Sequence, residues 1–156
     1  MSEKKHISFS INGHKRDFEV TADEKLLDLL RDNGYKGPKF GCGEGVCGAC
    51  TIIMDGRAIY GCILYAVQAD GHDIWTIEGA GDFGKPHPFQ QALVDEGAVQ
   101  CGYCIPGMVM SAKAMLDENP TPDDEEIREK MDGNLCRCTG YEKIWDALHK
   151  VISQNR

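Results

Sequence analysis

Eight cysteines in a chain of 156 residues constrain this sequence more than any other feature. They fall into two sets of unlike spacing. Cys42, Cys47 and Cys50 stand as C-x4-C-x2-C, with Cys62 further on; Cys101 and Cys104 form C-x2-C, and Cys136 and Cys138 form C-x-C. A chain this long makes one ordinary domain or two small ones. Small domains have poor surface-to-volume ratios and gain from a covalent or metal staple. The opening Met-Ser-Glu-Lys-Lys-His has no apolar stretch behind it, and no later run approaches bilayer length. A cytoplasmic chain with no membrane association is therefore expected. In a reducing compartment, clustered cysteines point to metal ligands or catalytic thiols rather than disulfides.

The formal net charge of −8 argues against nucleic-acid binding, which needs a basic patch for phosphate. Part of the acidity is the run Asp123, Asp124, Glu125, Glu126, which reads as the first turn of a solvated helix.

The pattern along the chain divides it in two. Residues 6–20 alternate polar and apolar around Asn12-Gly13, a hairpin signal. Residues 23–33 carry Leu26, Leu27, Leu29 and Leu30 and predict a short amphipathic helix stopped by Gly34. Residues 51–54 and 58–60 flank Asp55-Gly56 as a second hairpin, and 73–77 predict a last strand. A glycine- and proline-rich stretch follows, with Gly79, Gly81, Gly84, Pro86 and Pro88 close together. Beyond it four helices are predicted, over 88–96, 106–118, 121–131 and 141–152. For the third, Thr121 is the expected N-cap and Pro122 its first residue. The domains expected are 1–79 and 88–156, joined by a linker at 80–87. The two cysteine sets differ too much in spacing to be a duplication.

The first set has the spacing of plant-type [2Fe–2S] ferredoxins. Each iron of such a cluster takes two thiolates, and backbone N–H groups must approach the negatively charged sulfurs closely. Gly41, Gly43, Gly45 and Gly48 remove the side chains that would block that approach. Cys62 closes the site from across the fold. A zinc ribbon, the main rival, prefers paired knuckles, often with histidine. The second set is more open. Both of its pairs are expected at helix starts, where unpaired N–H groups and the helix dipole favour thiolates. A [2Fe–2S] cluster, a zinc ion and a redox dithiol all remain compatible with its spacing.

Three segments together, Gly41-Cys-Gly-Glu-Gly-Val-Cys-Gly-Ala-Cys50, Val99-Gln-Cys-Gly-Tyr-Cys-Ile-Pro-Gly107 and Gly133-Asn-Leu-Cys-Arg-Cys-Thr-Gly-Tyr141, resemble the iron–sulfur subunit of the xanthine dehydrogenase family of molybdenum hydroxylases. The resemblance spans nearly the whole chain. It implies an α+β fold, an N-terminal β-grasp [2Fe–2S] ferredoxin domain followed by a C-terminal four-helix [2Fe–2S]-binding domain. It also implies two [2Fe–2S] clusters, one on Cys42, Cys47, Cys50 and Cys62 and the other on Cys101, Cys104, Cys136 and Cys138. The implied partners are a large subunit holding the molybdopterin cofactor and the substrate, and a medium subunit holding FAD, in a dimer of heterotrimers or a related hetero-oligomer. Gln100 and Cys138 match positions that contact the pterin in relatives. No catalytic residue is expected on this chain, which serves an oxidoreductase as its electron conduit. The substrate expected is an N-heterocycle such as nicotinate or a purine. A freestanding ferredoxin-like carrier and a zinc-binding interaction module are the competing readings. Arg137, between two ligands, either offsets cluster charge or faces solvent. Tyr141 and Trp145, one helical turn apart, are expected to pack in the core.

Overall fold

The computed structural model describes residues 3–155. Strands β1 (Lys4–Ile11) and β2 (His14–Thr21) form the first hairpin. Its turn residues Asn12 and Gly13 both take positive φ, 51° and 79°, as a two-residue turn between right-twisted strands requires. Helix α1 (Leu26–Asp32) follows. Strands β3 (Thr51–Met54) and β4 (Arg57–Tyr60) close around Asp55-Gly56, again at positive φ. Strand β5 (Asp73–Trp75) completes a mixed sheet of order β2-β1-β5-β3-β4, in which β1 and β5 run parallel. Leu26, Leu29 and Leu30 of α1 pack on Ile7, Phe9, Ile11, Ile52 and Ile74 of the sheet. Burying each such side chain contributes about 1.5–3 kcal/mol, which offsets the weak intrinsic stability of so short a helix.

The second half is helical: α2 (Pro88–Asp95), α3 (Ile105–Glu118), α4 (Asp124–Met131) and α5 (Tyr141–Gln154). Helix α2 starts with a reciprocal cap. The His87 ring accepts from the Phe89 N–H, and Gln90 Oε1 accepts from the His87 N–H at 2.8 Å. Helix α3 is central and packs against α2, α4 and strand β3. Phe89, Leu93, Met108, Met110, Met115 and Leu148 fill this core. The start of α4 differs from the expected one. Asp123, not Thr121, is the N-cap, and its carboxylate accepts from the Glu126 N–H at 2.9 Å. The Thr121 N–H is instead taken by the Asn119 side chain. The acidic run does form the first turn of an exposed helix.

The two halves meet over a mixed surface. Ile53, Trp75, Ile77 and Ala80 pack against the helical core. Beside them lies a buried polar knot centred on Asn134, which is 4% exposed. Its Nδ2 donates to the Gly48 carbonyl at 3.1 Å and to Thr51 Oγ1 at 3.3 Å, and its Oδ1 accepts from Ser111 Oγ at 2.6 Å. Gly48 has φ +70°, and a Cβ there would stand 2.4 Å from Asn134 Nδ2, so the approach is available to glycine alone. No helix among the described residues is long and apolar enough to cross a membrane.

Asn134→Ala leaves the Ser111 hydroxyl and part of the Gly48 and Thr51 hydrogen bonding unmet in a buried setting. The expected cost is about 1–3 kcal/mol, seen as a lower urea midpoint by circular dichroism. Replacement of exposed Asp132, two residues away, leaves the midpoint in place.

Candidate metal centres

The loop between α1 and β3 is wound for sulfur. Cys42 Sγ accepts the N–H groups of Glu44 and Val46, each at 3.4 Å. Gly43 and Gly45 take φ of 76° and 75°, which turns successive N–H groups inward. At Gly41 a Cβ would lie 2.7 Å from Cys47 Sγ. Cys50 and Cys62, 1% and 5% exposed, form the inner edge of the site against Leu27. Cys42 and Cys47 form the outer edge, near exposed Phe40 and Val46.

The thiols of this set interact in pairs, Cys42 with Cys47 and Cys50 with Cys62. Two donors per metal is the requirement of a binuclear cluster, whereas one tetrahedral zinc needs four donors on one point. Electrostatics differ across the site. The Glu44 and Val46 amides hold the Cys42 thiol down to about 6. Burial pushes Cys50 up to about 12 and raises Cys47. Cys50 therefore yields its proton to a metal rather than to water at neutral pH.

The second set repeats the paired arrangement on helical ground. Cys104 is the N-cap of α3. Cys138 Sγ lies 3.3 Å from Cys101 Sγ, and Cys104 pairs with Cys136. The Cys101–Cys138 edge faces outward, while burial raises Cys104 to about 12. The Tyr103 N–H pulls the Cys101 thiol down, and the proton shared with Cys101 holds Cys138 up. The C-x-C pair sits less close to its helix than expected. Cys138 is two residues ahead of Gly140, the N-cap of α5, and the chain reaches that cap through Thr139 at φ +58°. Donor chemistry, pairing and the inward N–H groups of both sites fit [2Fe–2S] clusters.

Other residues singled out from sequence fall around the second set. Gln100 Nε2 donates to the Cys138 carbonyl at 3.1 Å at the exposed edge. Arg137 is exposed and lines a cleft of 390 Å³ that also touches Cys42, Cys47, Cys104 and Cys136. Trp145 packs partly buried against the helical core. Tyr141 does not. It is 47% exposed, and its Oη accepts the Cys136 N–H at 2.7 Å. Sequence reasoning missed the contacts that join the two sites. The Leu135 N–H donates to the Cys47 carbonyl at 2.9 Å, and Tyr103 Oη donates to the Phe40 carbonyl at 2.5 Å. A ligand loop of one set is thus one hydrogen bond from the residue before Cys136.

Comparison with known proteins assigns both halves. Residues 9–72 match the family described as 2Fe-2S iron-sulfur cluster binding domain, and residues 76–149 match the [2Fe-2S] binding domain family. The chain is 49% identical to the nicotinate dehydrogenase small FeS subunit of Eubacterium barkeri, covering 95% of each chain. It is 44% identical to the xanthine dehydrogenase iron-sulfur-binding subunit of Escherichia coli, covering 92% of this chain and 91% of that one. Among solved structures it resembles a chain of quinoline 2-oxidoreductase from Pseudomonas putida, with a TM-score of 0.91, 44% identity and coverage of 98% and 96%. These matches decide against zinc and the redox dithiol for the second set.

The intact protein is expected to hold about four iron atoms and as many acid-labile sulfides. Cys50→Ser is expected to halve both in chemical analysis. On reduction it removes one of two electron paramagnetic resonance (EPR) signals and spares the other.

Proposed function

The chain belongs to the iron–sulfur subunits of the molybdenum hydroxylases, and from that membership we propose a direction and a set of partners for its electron transfer. A bound [2Fe–2S] cluster stores and releases one electron at a time. Cys101, Cys104, Cys136 and Cys138 hold the cluster that receives electrons from the molybdopterin side, on a large subunit that also binds substrate. Cys42, Cys47, Cys50 and Cys62 hold the cluster that passes them on to FAD in a medium subunit. The complex is a dimer of heterotrimers or a related hetero-oligomer, and it is cytoplasmic. Within the chain, residues 1–79 and 88–156 are the two cluster-binding units and 80–87 their linker.

The observation that supports this reading is that the two sets lie beside one another, with Cys42 and Cys47 lining the same cleft as Cys104 and Cys136. Each has an outward edge, Cys42–Cys47 or Cys101–Cys138, and Leu135 bridges toward Cys47 between them. A conduit needs this arrangement, two cluster sites a short protein link apart and each open to solvent. Gln100 stands at the outward edge of the second set, where its amide carries both a donor and an acceptor. Nε2 is engaged by the Cys138 carbonyl, which leaves Oε1 to accept from a pterin donor. Cys138 shares that edge and completes the proposed pterin contact. The substrate is an N-heterocycle such as nicotinate or a purine, in keeping with relatives named for nicotinate and xanthine.

Two larger subunits are expected to copurify with the chain. In that complex, Cys101→Ser stops reduction of the remaining cluster by substrate, while dithionite still reduces it. Reduction by substrate at the native rate in the variant overturns the direction proposed, as does isolation of the native chain as a free carrier.

A further inference from the structure

Tyr141 opens α5, yet its ring folds back over the turn that precedes it. Its Oη takes the Cys136 N–H at 2.7 Å. The ring is half-exposed and lines the 390 Å³ cleft together with Cys104 and Cys136. A phenol oxygen that accepts one N–H still has its own O–H to donate. Elsewhere a sulfur is met from the backbone, as Cys42 is by the Glu44 and Val46 N–H groups. At the inner edge of the second set, the Cys136 amide is already committed to the phenol.

We propose that Tyr141 is a positioning residue for the second set, pinning the Cys136 segment through its amide and presenting its O–H to the sulfurs of the cluster held there. The inference rests on the second set holding a [2Fe–2S] cluster. Reduction adds negative charge to such a cluster, and a hydrogen bond to its sulfurs favours the charged state. Tyr141 thereby makes this cluster a better electron acceptor than its thiolates alone would. A residue that only packs would have no such effect.

The test is a redox titration of the intact complex followed by EPR, which reads the two clusters separately. Tyr141→Phe keeps the ring and removes the hydroxyl. The midpoint of the second-set signal is expected to fall while the first-set signal stays in place. Replacing all tyrosines with 3-fluorotyrosine strengthens the phenol as a donor and is expected to raise the same midpoint at neutral pH. An unchanged second-set midpoint in Tyr141→Phe overturns the proposal, as does an equal shift of both signals. Should Tyr141→Phe fail to retain its cluster, the fluorinated protein decides, and an unmoved midpoint there overturns the idea. Absence of a second EPR signal from the native complex instead overturns the assignment of the cluster itself.

Discussion

The carboxamide of Asn134 is buried between two segments that the chain keeps far apart, and it satisfies both. Its N–H groups go to Gly48 and Thr51 beside the first ligand loop. Its oxygen goes to Ser111 on α3. One residue further on, the Leu135 N–H reaches the Cys47 carbonyl, and Cys136 follows. The register between the ligand loops is therefore set by directed hydrogen bonds, those of Asn134 lying in a buried interior. Apolar contact alone, as between Ile53 and the helical core, is tolerant of sliding; directed polar contacts are not.

Thiol chemistry explains why such rigidity is needed. The first site places buried Cys50 and Cys62 behind half-buried Cys42 and Cys47, and the second places buried Cys136 and half-buried Cys104 behind exposed Cys101. Burial, with a further push from the neighbouring thiol, drives Cys50 and Cys104 far into the protonated range. Only a strongly bound cation reverses that preference, so metal binding and local folding are linked. The N–H groups aimed at Cys42 and Cys101 act in the opposite sense on those two sulfurs. One sulfur of each site is thus prepared for negative charge before Cys50 or Cys104 is.

Local signals in the sequence were dependable where one interaction dominated. Asn12-Gly13 and Asp55-Gly56 adopt the positive φ that their side chains tolerate, and both hairpins follow. The C-x4-C-x2-C spacing carried the first site, because its glycines and cysteines are close in the chain. The second site was ambiguous from spacing, since its pairs come from separate helix starts and only the resemblance joined them. Thr121 lost the capping role because Asp123 offered a charged acceptor to the Glu126 N–H. Tyr141 was misread because helical spacing says which face a residue shares, but not that a residue in the first turn can reach back to the preceding loop. Asn134 and Leu135 gave no signal at all. Asn134 and its Gly48 partner are 86 residues apart, and the pairing exists only once both halves have folded.

The hydrogen bond from Leu135 to Cys47 lies within a single polypeptide. The spacing between the inner donor and acceptor of an electron chain is therefore a property of one folded unit, not of how subunits dock. Electron tunnelling falls steeply with distance, so any looseness in assembly acts on the two outer transfers and leaves the middle one untouched. The partner proteins are thereby free to diverge in shape and chemistry while the wire between them keeps a constant gauge.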